Sequence, residues 1–183
     1  MYEFDAAVTH AINGLAERSA AVDFLMNWIS VIGVPLLVLV VAGKWWQRTD
    51  RIYTRHVLVA AGFSFLLGLA FNRLILLFVH RMRPYDAGVT HLLIARSADP
   101  SFPSDHATAT FAIAATFLVH GMRRVGVGFL TAALLMILSR VYVGTHYLVD
   151  VLGGALTGIV AAIVVRRVYG EGRRIDQFVT RIM

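Results

Sequence analysis

The sequence contains no cysteine and has few charged residues. Without cysteine the chain has no disulfide bonds, no thiolate metal site and no cysteine nucleophile. Charged residues make up 15% of its 183 residues, whereas roughly a quarter of the residues are charged in ordinary soluble proteins. Hydrophobic residues make up 58% of the chain and occur in long blocks. This composition excludes the usual soluble classes and predicts an integral membrane protein of one domain.

The apolar blocks predict an all-α bundle of about five transmembrane helices, because a membrane-spanning helix needs about 20 mostly apolar residues. The blocks are residues 22–43, 56–80, 105–121, 125–145 and 148–168. Residues 3–18 carry apolar side chains at helical spacing with polar residues between them, which is typical of an amphipathic helix at a membrane interface. We therefore expect a single membrane-embedded domain over residues 1–183, with an interfacial helix within residues 1–20. Gly154 and Gly158 form a pattern that favours close helix packing within the bundle.

The net charge of +6 could indicate nucleic-acid binding or a membrane topology signal. Basic residues lie mainly at the ends of the apolar blocks, and no basic face is interleaved with aromatic residues. We therefore expect contact with membrane lipids and no nucleic-acid partner. Most basic residues, including those near the C-terminus, fall on one side of a five-span arrangement. The positive-inside rule then places the C-terminus in the cytoplasm and the loop of residues 81–104 on the outer face.

Three polar clusters interrupt the apolar blocks, where unpaired polar groups are costly. They are Arg83-Pro84, then Pro103-Ser104-Asp105-His106, then Ser139-Arg140 followed by His146 and Asp150. The first two border the loop of residues 81–104, and loops of this length in a compact bundle are usually functional or disordered. All three clusters lie on the outer face in the arrangement above. We therefore expect them to converge on one site.

The third cluster has the groups needed for nucleophilic catalysis. His146 and Asp150 are four residues apart, which places them on one face of a helix. A carboxylate bonded to one imidazole nitrogen leaves the other nitrogen as a nucleophile, although a pair of this kind could equally satisfy only itself. The nearby Arg140 favours a functional interpretation, because a guanidinium binds phosphate oxygens through paired hydrogen bonds. The structural alternatives are snorkelling by Arg140 and a helix–helix contact by Ser139.

The second cluster combines a helix start with an imidazole. Ser104 is suited to cap the helix that follows it, and helix N-termini bind anions through unpaired N–H groups. His106 lies in the first turn of that helix, where it could donate a proton to a leaving oxygen as a general acid. Asp105 could be a helix-end charge, a partner for an arginine or a substrate selector.

These clusters resemble the signature motifs of the type 2 phosphatidic acid phosphatase superfamily, which also includes vanadium haloperoxidases. The third motif, Ser-Arg, five residues, His, three residues and Asp, is matched in full. The second, Pro-Ser-Gly-His, is matched except that Asp105 replaces glycine. The first, lysine, six residues and Arg-Pro, keeps Arg83 but has Leu76 in place of lysine. Candidates for the missing cation are Arg73, Arg81 and His80.

The resemblance covers about residues 55–168 and implies a phosphatase that acts through a phosphohistidine, without a metal or another cofactor. It implies that His146 attacks phosphorus with the support of Asp150, and that His106 protonates the leaving group. The implied phosphate ligands are Arg83, Arg140, Ser104 and Ser139, with Arg81 and Arg73 as further candidates.

The variant Ser-Asp-His and the run Arg-Pro-Tyr most resemble the undecaprenyl diphosphate phosphatases of this superfamily. This resemblance implies removal of the terminal phosphate of undecaprenyl diphosphate at the outer face of a bacterial plasma membrane. The alternatives within the superfamily are a phosphatidylglycerophosphate phosphatase and a lipid A phosphatase. An alternative of another class is a non-catalytic protein that binds or transports lipid phosphates.

Overall fold

The computed structural model describes residues 2–180, and within that range the chain forms seven α-helices, one short 3-10 helix and no strand. The helices are α1 (Tyr2–Asn13), α2 (Ala20–Gly43), α3 (Arg51–Leu76), α4 (Asp105–Val119), α5 (Arg123–Tyr142), α6 (Leu148–Val168) and α7 (Arg174–Thr180). The 3-10 helix, Lys44–Trp46, continues α2. The predicted all-α bundle with an N-terminal amphipathic helix is confirmed.

The five predicted spans correspond to α2 through α6. Among the described residues, α2, α3, α5 and α6 are long and apolar enough to cross a membrane, while α4 is a shorter apolar helix of 15 residues. At 1.5 Å per residue α4 is about 22 Å long, less than the roughly 30 Å of a hydrocarbon core. The second span ends at Leu76 rather than at residue 80, so the polar connection before α4 is longer than predicted.

Helix α4 lies at the centre of the bundle and packs against α3, α5 and α6. Its apolar side chains, including Phe111 and Phe117, form part of the core, and the Phe117 ring packs against Phe129 of α5. Helix α6 approaches α4 through small residues. A Cβ atom on Gly154 would lie 2.4 Å from the carbonyl oxygen of Ser104, directly before α4, and one on Gly158 would lie 2.4 Å from that of Thr108 in α4. Only glycine permits this spacing. The predicted intramolecular packing of these glycines is confirmed.

The two ends of the bundle are closed differently. At one end α1 packs against the start of α6 and the end of α5, burying Asp5, Thr9 and Asn13. At the other end α7 packs on α3, where the buried His56 ring bonds to Asp176 at 2.8 Å. The end covered by α1 also holds the long connection of residues 77–104. Residues from all three polar clusters lie at this end.

Candidate active site

A cavity of about 110 Å³ lies where the connection of residues 77–104, the start of α4 and the end of α5 meet. Its lining residues are Arg73, Leu76, Arg83, Ser97, Asp99, Pro100, Pro103, Asp105, His106, Arg140 and His146. Each of the three sequence clusters contributes to this lining. The three clusters therefore lie around one cavity, as the sequence predicts.

His146 lies in the turn between α5 and α6 and is buried. Its Nδ1–H donates to the main-chain carbonyl of Ser101 at 2.8 Å. A carbonyl oxygen can only accept, so this contact places the hydrogen on Nδ1 and leaves Nε2 with its lone pair. Burial lowers the pKa of His146 to about 4, although the Asp150 carboxylate acts in the opposite direction. The ring is therefore neutral at neutral pH, as a nitrogen nucleophile must be.

Asp150 lies beside His146 but does not form a hydrogen bond with it. The distance from its Oδ2 to Nδ1 of His146 is 3.8 Å, which is too long for a hydrogen bond. The carboxylate is fully buried and already accepts from Arg81 at 2.7 Å, from the Tyr147 N–H at 2.9 Å and from the Ser101 hydroxyl. Ser101 therefore connects the two residues, since its hydroxyl binds Asp150 while its carbonyl binds His146.

Arg83 is held rigidly at the cavity wall. Its guanidinium donates to the carbonyl of Asp99 at 2.8 Å, to the carbonyl of Thr145 at 3.0 Å and to the hydroxyl of Ser97 at 3.1 Å. Its Nη1 also lies 3.4 Å from Nε2 of His146. The guanidinium charge is therefore adjacent to the nitrogen that carries the lone pair.

Arg140 brings a second cation to the cavity from the last turn of α5. Its side chain is buried, and its Nη1 donates to the hydroxyl of Ser30 on α2 at 2.6 Å. Among the described residues, its Nε has no hydrogen-bond partner. An anion in the cavity would supply the acceptor that this donor lacks, because a buried unsatisfied N–H is costly.

His106 and Asp105 enter the cavity from the first turn of α4. Asp105 accepts from the amide of Asn72 at 2.7 Å and pairs with Arg73 at 3.3 Å. Asn72 and Arg73, which look misplaced in an apolar span, therefore serve to hold the acidic residue that replaces the glycine of the second motif. Of the three candidates for the missing cation, the structure places Arg73 in the cavity wall beside Leu76.

Three predicted phosphate ligands lie outside the cavity lining. Ser104 is buried directly before α4, and in the described structure its hydroxyl has no hydrogen-bond partner. Ser139 donates to the carbonyl of Met136 in its own helix at 2.7 Å. Arg81 lies behind the cavity, between two carboxylates and over the Tyr147 ring at 3.9 Å. Some motif residues therefore line the cavity, while others lie behind the residues that line it.

Sequence reasoning missed several residues that organise this site: Asp5, Ser30, Ser97, Asp99 and Ser101. Ser97, Asp99 and Ser101 lie in the long connection, whose functional importance was predicted without naming them. Asp5 and Ser30 lie on α1 and α2, outside residues 55–168, which carry the three motifs. The signal available for Ser30 was a polar residue within an apolar span. No comparable signal distinguishes Asp5 from the other polar residues of α1.

The charge and size of the cavity suit a phosphate-like anion. In the described part of the chain, two imidazoles and three guanidiniums line this cavity of about 110 Å³. The guanidiniums can bind and neutralise phosphate oxygens, and one imidazole has an unprotonated nitrogen beside them. The second imidazole is available for proton transfer. Together these groups could carry out phosphoryl transfer through histidine.

The sequence profile of the PAP2 superfamily matches residues 57–174. The undecaprenyl-diphosphatase BcrC of Bacillus subtilis is 36% identical over 150 residues, which cover 82% of this chain and 76% of BcrC. The putative undecaprenyl-diphosphatase YbjG of Escherichia coli is 32% identical over 145 residues, covering 79% of this chain and 70% of YbjG.

A solved structure of a transmembrane PAP2-type phosphatidylglycerolphosphate phosphatase from Bacillus subtilis has the same fold. It superimposes with a TM-score of 0.69 and 22% sequence identity, covering 100% of this chain and 89% of that protein. The two proteins therefore share the same helical fold.

Proposed function

The chain belongs to the PAP2 superfamily of membrane lipid phosphatases, and on that premise we propose that it hydrolyses the terminal phosphate of undecaprenyl diphosphate through a phosphohistidine. One observation supports this proposal above the others. His146, with its lone pair on Nε2, shares a cavity with His106 and with three arginines. This is the set of groups that phosphoryl transfer to nitrogen and back to water requires.

In the first step, Nε2 of His146 attacks the terminal phosphorus, and an N–P bond forms as the bond to the bridging oxygen breaks. The departing lipid monophosphate takes a proton from His106, which acts as the general acid. Arg83 and Arg140 neutralise the charge on the phosphoryl oxygens, and Arg73 adds to the positive potential of the cavity wall. The carbonyl of Ser101 and the charge of Asp150 stabilise the phosphorylated imidazolium.

In the second step, a water molecule attacks the phosphorus of phosphohistidine. His106, now neutral, accepts a proton from that water as a general base, and the N–P bond breaks. Orthophosphate leaves and His146 regains its lone pair. The arginines provide the charge neutralisation in both steps, so this mechanism assigns no step to a metal ion.

The lipid specificity of the proposal rests on the relatives and on the fold. The chain shares 36% identity with BcrC of Bacillus subtilis, an undecaprenyl-diphosphatase, and spans most of its length. The apolar helices α2, α3, α5 and α6 suit a substrate whose long tail stays in the bilayer. We infer a multi-pass protein of the bacterial plasma membrane with the active site on the outer face and the C-terminus in the cytoplasm, from the distribution of arginines and lysines.

A phosphate-release panel tests the proposal. Purified protein in detergent or nanodiscs is given undecaprenyl diphosphate, phosphatidylglycerophosphate and phosphatidic acid, each with and without a chelator. We expect the highest kcat/KM for undecaprenyl diphosphate and no loss with the chelator. A preference for phosphatidylglycerophosphate would reassign the substrate, and chelator sensitivity would overturn the metal-free mechanism.

The same panel separates an enzyme from a non-catalytic binder. Acid-labile phosphate on His146, trapped by rapid quench during turnover, is expected for the enzyme. Binding of a lipid phosphate without any release of phosphate would favour a binding or transport protein.

A further inference from the structure

Helix α1 faces the bundle with polar side chains, which is unusual for a helix on an apolar protein. Asp5, Thr9 and Asn13 lie one turn apart on one face, and all three are buried. The aromatic side chain of Phe4, on another face of the helix, is 72% exposed. The buried face of α1 therefore carries polar groups that can form hydrogen bonds with the rest of the protein.

The contacts of this polar face all go to segments that build the active site. Oδ1 of Asp5 accepts the N–H of Val149 at 3.0 Å, and the Thr9 hydroxyl accepts the N–H of Leu148 at 3.1 Å. These N–H groups belong to the first turn of α6, which begins at Leu148, two residues after His146. Asp5 and Thr9 thus cap the helix that carries Asp150.

Asp5 also binds the arginine behind the cavity. Its Oδ2 accepts from Nη2 of Arg81 at 2.6 Å, while Nη1 of Arg81 donates to Asp150 at 2.7 Å. Burial would lower the pKa of Arg81, but its hydrogen bonds to Asp5 and Asp150 raise it overall. Arg81 is therefore a fixed cation between two carboxylates.

From Asp150 the contacts continue to the nucleophile. The second carboxylate oxygen accepts from the Ser101 hydroxyl, and the Ser101 carbonyl accepts from Nδ1 of His146 at 2.8 Å. The group formed by Asp5, Arg81 and Asp150 carries a net charge of −1. Without Asp5 its net charge would be zero, and the imidazolium formed on phosphorylation would lose an electrostatic partner.

We propose that Asp5 is a positioning residue for phosphoryl transfer, acting through Arg81 on Asp150 and so on His146. The proposal rests on the phosphatase function given above, but not on which lipid is the substrate. Asp5 orients Arg81 with one oxygen and the start of α6 with the other. A residue near the N-terminus, outside the three motifs, thereby completes the support of the nucleophile.

The test compares Asp5→Asn with Glu3→Gln, which makes the same chemical change at an exposed position of the same helix. Steady-state kinetics are measured with whichever lipid phosphate the wild-type protein hydrolyses fastest. We expect Asp5→Asn to lower kcat about 10- to 100-fold with KM changed less than about 3-fold, as for supporting residues in other active sites. Glu3→Gln is expected to match the wild-type protein. Equal kcat for Asp5→Asn and the wild-type protein would overturn the proposal.

A double-mutant cycle separates positioning from a general loss of structure. If Asp5 acts through Arg81, adding Asp5→Asn to Arg81→Met lowers kcat by less than about 2-fold more. Full additivity would overturn the proposed route. Thr9→Val removes a neighbouring α1 contact but leaves Asp5 and Arg81 in place, so it is expected to keep most of its kcat. A loss in Thr9→Val equal to that in Asp5→Asn would show that docking of α1, and not the carboxylate, matters.

If Asp5→Asn does not fold, Asp5→Glu replaces it in the test. Its additional methylene shifts the carboxylate on Arg81, so kcat is expected to fall several-fold with KM retained. An unchanged kcat in Asp5→Glu would then count against the proposal. Failure of the proposed function is recognised separately, because the wild-type protein itself would release no phosphate from any lipid phosphate.

Discussion

The Nδ1–H of His146 donates to the main-chain carbonyl of Ser101 at 2.8 Å. This contact sets the tautomer of the imidazole with a group that cannot itself titrate. The Asp150 carboxylate, at 3.8 Å, contributes its charge without taking the proton. A backbone acceptor of this kind survives every side-chain substitution at its position, so its effect must be tested through the groups around it.

Removal of the nucleophile is the first prediction. His146→Ala is expected to lower kcat by at least about 10³-fold, because the phosphoryl group then has no nitrogen acceptor. The protein should remain folded, and quenched samples should contain no phosphohistidine. His91→Gln is the matched control, since it changes an exposed imidazole in the connection of residues 77–104. Turnover by His146→Ala near the wild-type rate would refute the assignment of the nucleophile.

Ser101→Ala removes the hydroxyl that binds Asp150 and keeps the carbonyl that binds His146. We expect kcat to fall about 10-fold and the free energy of unfolding to fall by about 1.5 to 3 kcal/mol, the usual contribution of a hydrogen bond to a charged group. Both quantities are measured on the same preparation, by phosphate release and by denaturation in detergent. Ser64→Ala, a buried serine of α3 that bonds to Ala60 and Thr116, controls for the loss of a buried hydroxyl. Activity losses of equal size in the two variants would contradict this prediction.

Arg83→Lys tests the geometry of the cavity wall while the charge is retained. A lysine has one nitrogen, so it cannot reproduce the three hydrogen bonds that fix the Arg83 guanidinium to Ser97, Asp99 and Thr145. We expect kcat/KM to fall about 10- to 100-fold, which corresponds to about 1.4 to 2.7 kcal/mol of transition-state stabilisation.

The control for this variant is Arg96→Lys, in which an exposed arginine of the same connection pairs with Asp86 at 3.2 Å. An exposed pair of this kind contributes little, so wild-type kinetics are expected. Wild-type kinetics in Arg83→Lys as well would mean that charge alone is sufficient at this position.

Asp105→Asn tests the acidic residue in the second motif. Asp105 pairs with Arg73 at 3.3 Å, and its negative charge lies in the wall of the cavity that we propose binds the phosphate of the substrate. Removing that charge and releasing Arg73 should strengthen competitive inhibition by orthophosphate about 3- to 10-fold. Asp86→Asn changes an acidic residue of the connection of residues 77–104 that does not line the cavity, and it should leave inhibition unchanged. Weaker inhibition in Asp105→Asn would indicate that the carboxylate orients Arg73 for binding.

The buried neutral His146 also predicts how stability depends on pH. Its pKa is about 4 in the folded protein, against an ordinary value of 6.5. Between these values the unfolded chain binds a proton that the folded protein does not, so stability falls as pH drops from 6.5 towards 4. At pH 4.5 the effect of this one group is about 2 to 3 kcal/mol.

Thermal unfolding in detergent at pH 7 and pH 4.5 measures this dependence. His146→Gln has no titrating ring, so its Tm should fall less between the two pH values than that of the wild-type protein. Carboxylates away from residue 146 contribute equally to both proteins, so the difference reports on His146 together with its neighbour Asp150. The same decrease in both proteins would show that the ring is not buried in its neutral form.

The helices and the catalytic cluster could be predicted from the sequence because their signals are local. Apolar blocks of about 20 residues define spans, and the spacing of Arg140, His146 and Asp150 matches a family motif. The orientation of the spans then placed all three clusters at one end of the bundle. What joins them could not be predicted, since the partners of Arg81 and Arg140 lie 76 and 110 residues away in the chain.

The role of α1 shows why composition alone was insufficient. Its alternation of polar and apolar residues predicts an amphipathic helix, but the pattern does not determine what each face contacts. In a soluble protein the apolar face would pack on the core. In a membrane protein the lipid around the bundle is itself apolar. The polar residues of α1 face the bundle, where Asp5, Thr9 and Asn13 bind main-chain groups at the end of the bundle that holds the candidate site.

Ser30 on α2 and Asp5 on α1 hold Arg140 and Arg81, although both helices precede the region that the family profile covers. A chimera that transplants only residues 57–174 into a relative would contain every motif residue but would lack the α1 and α2 of this chain. Arg140 and Arg81 would then lose Ser30 and Asp5 as hydrogen-bond partners, and the activity of the hybrid would fall although its motifs are intact. Exchange between relatives should include the first two helices together with the core that they support.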